Sequence, residues 1–188
     1  MSREPTAQSP GERDTVDRLL LRLPVLANFI GAGIDRVRPG SGLRRRLIRL
    51  QFGRAFAAMA RSDVEVVVLY YEPDAEVWVR GMAGVGISEC YRGRDGVRAL
   101  YADLDEAFDT WSWTIRSVTD AGDQLAVRAD FIGVGRGSGV TTTVEDGGTV
   151  IERSPRGLVT RQEWFAQQGG GGMAVEAAGL PPQGAAAS

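Results

Sequence analysis

The chain contains no histidine and no lysine; all 22 of its basic residues are arginine. That excludes imidazole general bases, nucleophile–histidine triads, histidine metal ligands and lysine Schiff bases. A single cysteine, Cys90, excludes an internal disulfide and a thiolate-rich metal site. Long apolar runs are also missing. Leu23 to Ile34 is interrupted by Pro24 and Asn28 and is too short to span a bilayer. The acids before it (Glu4, Glu12, Asp14, Asp17) are the reverse of a secretory leader's basic start, so a cytoplasmic protein is expected. Chemistry is left to carboxylates, arginine, tyrosine, hydroxyls, tryptophan or backbone, and neither a cofactor nor a metal is expected.

What is present is 188 residues, 43% hydrophobic and 24% charged, enough for one well-buried domain and too little for two. The net charge of −2 conceals an asymmetry: residues 36–62 carry eight arginines and no acid, whereas 63–188 carry ten arginines and 19 acids. The plain reading is that the basic block meets the chain's own acids or forms a solvated helix face. Contact with an anionic membrane surface is the lesser alternative, and no nucleic-acid partner is expected.

Residues 1–14 are polar, with Pro5 and Pro10, and read as a disordered tail; 15–40 read as an N-terminal helical extension. Ser41 is a suitable N-cap for a helix over 42–61. On that helix Ile48, Phe52, Ala55, Phe56 and Met59 form one apolar face, and Leu43, Leu47 and Leu50 a second stripe. Asp63 is expected to cap a short helix over 64–70, and Asp95 one over 96–108. Strand patterns fall at 75–80, 111–120, 124–134, 139–153 and 158–165, separated by turns such as Ala121-Gly122-Asp123. Residues 169–188, opening on four glycines, read as linker and tail. Helices segregated from a strand meander imply an α+β domain over 41–168.

Several strings in this order resemble the SnoaL-like, polyketide-cyclase-like families of the nuclear-transport-factor-2-like superfamily. They are Phe56-Ala57-Ala58-Met59-Ala60-Arg61-Ser62-Asp63, Leu69-Tyr70-Tyr71-Glu72-Pro73-Asp74-Ala75-Glu76-Val77, Tyr91-Arg92-Gly93-Arg94-Asp95-Gly96-Val97, Asp120-Ala121-Gly122-Asp123, Gly135-Arg136-Gly137-Ser138-Gly139-Val140 and Glu176-Ala177-Ala178-Gly179-Leu180. The resemblance implies a cone: a curved antiparallel sheet with helices across its concave face, a small-molecule pocket, and homodimers formed through the outer sheet face. It leaves function open, because one cone hosts many chemistries.

Laid on the ketosteroid isomerase pattern, the chain has Ala55 and Val79 where the oxyanion tyrosine and the base stand, so that machinery is absent. The small-epoxide hydrolase pattern matches better. Arg128-Ala129-Asp130 resembles its Arg-x-Asp, and Glu163 falls at its second carboxylate. Positions i and i+2 of a strand share a face, so Arg128 and Asp130 project together. The candidate catalytic set is therefore Asp130, Arg128 and Glu163, with Ala55, Met59, Val77, Val79 and Tyr101 as ligand contacts. The alternative is that the three charged residues form a structural ion network or face outward. Two functions stay open: a cofactor-free acid–base enzyme (cyclase-like or epoxide-hydrolase-like) on a small apolar or aromatic molecule, or a non-catalytic binding or accessory dimerisation module.

Overall fold

The computed structural model describes residues 13, 15–23, 32–34, 36–38, 41–167 and 169–180. The expected tail over 1–14 (Arg13 apart), much of the extension over 15–40 and the tail beyond Leu180 lie outside the described residues. In chain order the elements are α1 (Thr15–Arg22), α2 (Gly42–Ala60), α3 (Val64–Val67) running into a tight turn of helix at Val68–Tyr70, β1 (Tyr71–Arg80), β2 (Cys90–Arg92), α4 (Gly93–Ala107), β3 (Phe108–Asp120), β4 (Gln124–Gly135), β5 (Thr141–Arg153), β6 (Val159–Phe165) and α5 (Gly170–Ala177).

The strands form one curved, open six-stranded sheet in the order β2-β1-β6-β5-β4-β3. The β3 to β6 meander is antiparallel throughout, and β1 lies parallel to β6 with Val77 beside Gln162 and Val79 beside Trp164. The fold is thus the expected α+β cone. Strand alternation assigns the two faces. Val77 and Val79 of β1, Val127 and Phe131 of β4, and Trp164 of β6 point to the concave side, where they join Val97, Leu100 and Leu104 of α4 in the main core. An aromatic row crosses this side: Trp113 stacks against Phe131 (4.9 Å between centroids) and Trp164 (5.3 Å), and Phe108 meets Phe131 edge-on at 5.4 Å.

Ser41 caps α2 as expected, its hydroxyl accepting from the Arg44 amide at 3.2 Å. Asp63 does not cap α3 with its side chain; Arg13 takes that carboxylate at 2.6 and 2.8 Å. Asp95 sits inside the first turn of α4, which starts at Gly93, and pairs with Arg98. Of the helical extension expected over 15–40, the described residues are helical at Thr15–Arg22 and again at 32–34, and β2 has no counterpart in the expected strands because three residues carry no readable alternation.

The clearest departure is at 169–180. The glycines read as linker instead begin α5, which lies on the convex face of the sheet, where Ala174, Val175 and Ala178 pack on Ala126, Val150 and Phe165. Glycine is a poor helix former, but here it permits contact no other residue allows. A Cβ on Gly148 of β5 would lie 2.7 Å from the Gly170 carbonyl oxygen and 2.8 Å from Ala174 Cβ.

Among the described residues no helix is long and apolar enough to cross a membrane. The basic block is partly internal. Arg44 is buried on α2, and its guanidinium donates to Asp120 and to the carbonyls of Ile34, Val37 and Gly122. Arg61 pairs with Asp17 of α1.

Candidate functional site

The three charged residues chosen from the sequence do not meet in a hollow. On β4, Val127, Ala129 and Phe131 are buried toward the concave side, so Arg128 and Asp130 must project from the convex one. There Arg128 Nε donates to Asp146 at 2.7 Å. Asp130 accepts from Arg116 Nε at 2.7 and 2.8 Å and from the Asp146 backbone amide at 2.9 Å. Asp146 is one of two non-glycine residues with positive φ among the described residues, at 55°, and stands where the β4–β5 register slips. The cluster pins a bulge. The Arg116 hydrogen bond, then that from the Asp146 amide, holds the Asp130 carboxyl below its usual range.

Glu163 lies between Gln162 and Trp164 and faces outward for the same reason. Its carboxylate accepts from Arg80 at 3.0 Å and lies 3.5 Å from Arg161. Both guanidiniums also lie over Trp78, at 4.9 and 5.9 Å. Asp130 and Glu163 thus have separate arginine partners and no common centre.

The hollow itself lies beneath α2. It has a cavity of about 50 Å3 among Phe52, Ala55, Phe56, Met59, Tyr70, Tyr71 and their neighbours, and an adjoining one of about 20 Å3 toward Trp113, Val127 and Trp164. The two share Phe56, Met59 and Gln162. Of the expected ligand contacts, Ala55 and Met59 line it. Val77 and Val79 do not; both are fully buried in the core. Tyr101 also lies apart, buried edge-on against Trp111 at 5.6 Å, with no hydrogen-bond partner for its hydroxyl.

Polar groups at the hollow are few, and the sequence reading missed most of them. Gln51 comes from α2, its Oε1 buried without a partner. Tyr71, at the start of β1, donates its hydroxyl to Gln162 Oε1 on β6. Burial pushes the Tyr71 phenol up, so it stays a neutral donor. Arg153 of β5 reaches the lining while donating to the Gly122 carbonyl at 2.8 Å. Thr149 and the indoles of Trp113 and Trp164 complete the set, with neither indole N–H partnered among the described residues. Among the described residues no carboxylate lines either cavity. Among the described residues no group of three acids or cysteine is placed to hold a metal ion.

A family of SnoaL-like domains matches residues 52–162, more than half of the chain. The protein is a member of the SnoaL-like domain family. Solved structures agree on the fold of this SnoaL-like protein. A nuclear-transport-factor-2-like protein of unknown function from Burkholderia pseudomallei superposes with a TM-score of 0.57 at 17% identity, over 68% of this chain and 95% of that one. TerC, co-crystallised with polyporic acid, gives 0.55 at 20% identity over 62% and 88%. A Mycobacterium tuberculosis protein in complex with estradiol-17beta-hemisuccinate gives 0.51 at 17% over 61% and 88%. At such identities the likeness is one of fold. No curated protein sequence matches significantly.

Proposed function

We propose that this SnoaL-like domain binds a small, largely apolar molecule beneath α2 and does not transform it there by carboxylate acid–base chemistry. One observation carries the reading: among the described residues the polar lining consists of amides, hydroxyls, indoles and one guanidinium, with no acid. A general acid or base works when its pKa lies near the working pH. Amides do not titrate, arginine stays cationic, and burial moves the Tyr71 phenol further from neutrality.

The same lining describes the ligand. Aromatic and aliphatic walls suit an apolar body, and the unpartnered indole N–H groups of Trp113 and Trp164 suit acceptor oxygens such as ketone or quinone carbonyls. The complexes of TerC with polyporic acid and of the mycobacterial protein with estradiol-17beta-hemisuccinate lend support from the same fold. The cavity is small, since a single water occupies roughly 10–15 Å3 on this measure. Binding therefore requires Phe52, Phe56 and Met59, all only half-buried on α2, to move aside.

The test is titration of tryptophan fluorescence with aromatic polyketides and with estradiol, alongside mass spectrometry of the recovered ligand. Saturable binding, weakened at least tenfold by Ala55→Phe, with the ligand recovered unchanged, is expected. Absence of binding across the panel would sink the binding reading. Conversion of a ligand by the wild-type chain, lost in Asp130→Asn, would restore the cyclase-like or epoxide-hydrolase-like alternative.

A further inference from the structure

Between the N-terminal half of α2 and β3 runs a groove of about 720 Å3, separate from the cavity beneath α2. Ile48, Ile115 and Val118 give it an apolar floor. Arg45 and Arg49, four residues apart and so neighbours on one helix face, stand exposed on its α2 side. Among the described residues neither guanidinium has a hydrogen bond or an ion pair. The acids nearby are already engaged: Asp120, which borders the groove, by Arg44, and Asp130 by Arg116.

Composition does not force this arrangement. The chain has 24 acids for 22 arginines, and other arginines of the basic block, Arg44 and Arg61, do find acids. Two uncompensated cations one turn apart beside an apolar hollow are poised for an anion.

We propose that this groove is a second binding site, taking the carboxylate or phosphate group of a small amphipathic molecule whose apolar part lies on Ile48, Ile115 and Val118. A lipid bilayer fits these residues less well. A helix lying in a membrane interface sets its cations along the border of its apolar stripe. Here the exposed leucines of α2, Leu43 and Leu50, are roughly 100–160° around the helix axis from Arg45 and Arg49 at 3.6 residues per turn. A surface that received the leucines would turn the groove away.

The site does not depend on the cavity reading, and its test separates the two. Calorimetric titration of the full chain would use 1-naphthyl phosphate, with neutral 1-naphthol and phosphatidylglycerol vesicles as companion probes. Expected are saturable, salt-sensitive binding of 1-naphthyl phosphate, at least a tenfold loss in the Arg45→Gln/Arg49→Gln double variant, and no loss in Ala55→Phe. An unchanged melting temperature confirms that the double variant is folded. Equal binding of 1-naphthyl phosphate by wild type and double variant overturns the proposal, as does loss in Ala55→Phe alone, which would put the probe in the buried cavity. Vesicle binding that needs Arg45 and Arg49, without binding of 1-naphthyl phosphate, overturns it in favour of a membrane.

Discussion

Arg44 of α2 and Asp120 at the end of β3 are joined Nε to Oδ2 at 2.8 Å, with 2% and 7% of their side chains exposed. The pair fastens the helix that roofs the cavity to the rim of the sheet, and carbonyls on three other residues complete the guanidinium's shell. Removing one partner of a buried pair strands the other charge, which costs about 3–5 kcal/mol. Arg44→Met is therefore expected to lose about that much in urea denaturation, and Arg44→Met/Asp120→Leu to lose clearly less. Arg45→Met, next along the chain but exposed, should stay within about 0.5 kcal/mol of wild type.

The convex-face network gives a different expectation. Asp146 holds a left-handed backbone, which costs most residues roughly 1–2 kcal/mol but is tolerated by Asp and Asn. Asp146→Val should destabilise by at least that amount in urea denaturation, and Asp146→Asn by less. Asp130→Asn, on the far side of the sheet from the cavity, should leave ligand affinity within about twofold while weakening its bond with Arg116.

Two glycines of α5 and its seat should respond in opposite directions. A methyl group at Gly148 would collide with backbone at Gly170 and Gly171, and overpacking of this kind costs typically 1–3 kcal/mol. Gly148→Ala should also open α5 to limited proteolysis. A Cβ at Gly172 meets nothing within 4 Å, and exchanging a helical glycine for alanine stabilises by about 0.5–1 kcal/mol. Melting temperatures of the two variants should lie on either side of wild type.

Acid should expose the depressed carboxylates. Asp63, hydrogen-bonded by Arg13, and Asp130, hydrogen-bonded by Arg116, both titrate below their usual range. A carboxyl whose folded pKa lies below its unfolded one contributes stability above the unfolded value, near pH 4, and loses it as pH falls through the folded one. Urea midpoints should therefore drop for wild type between pH 5 and pH 2.5, and drop less for Asp63→Asn over the same interval.

The architecture was legible because it rests on patterns that survive without partners. Ser41 caps the helix it should, the meander turns fall where glycine and proline place them, and the strings that resemble SnoaL-like families run in the order the elements do. The candidate site was misread where a chemical motif outweighed strand alternation. In Leu125 to Phe131 the residues at 125, 127, 129 and 131 are apolar, which already turns Arg128 and Asp130 away from the core. The same alternation around Gln162 and Trp164 turns Glu163 outward and brings Gln162 in. Arg44 could not be told from Arg45, Arg46 and Arg49 by composition; only the fold brings Asp120 beside it. The four consecutive glycines read as linker because the value of two of them, Gly170 and Gly171, lies in a surface they approach, which no local pattern reveals.

That helix has a final consequence. Part of the convex side of β4, β5 and β6 is roofed by α5 over Ala126, Val150 and Phe165, so a second molecule approaching that patch meets small residues of the helix before the strands beneath it. A chain ending at Phe165 would present a greasy strip of bare ribbon, and self-adhesion held off by eight residues of helix would become its ordinary fate.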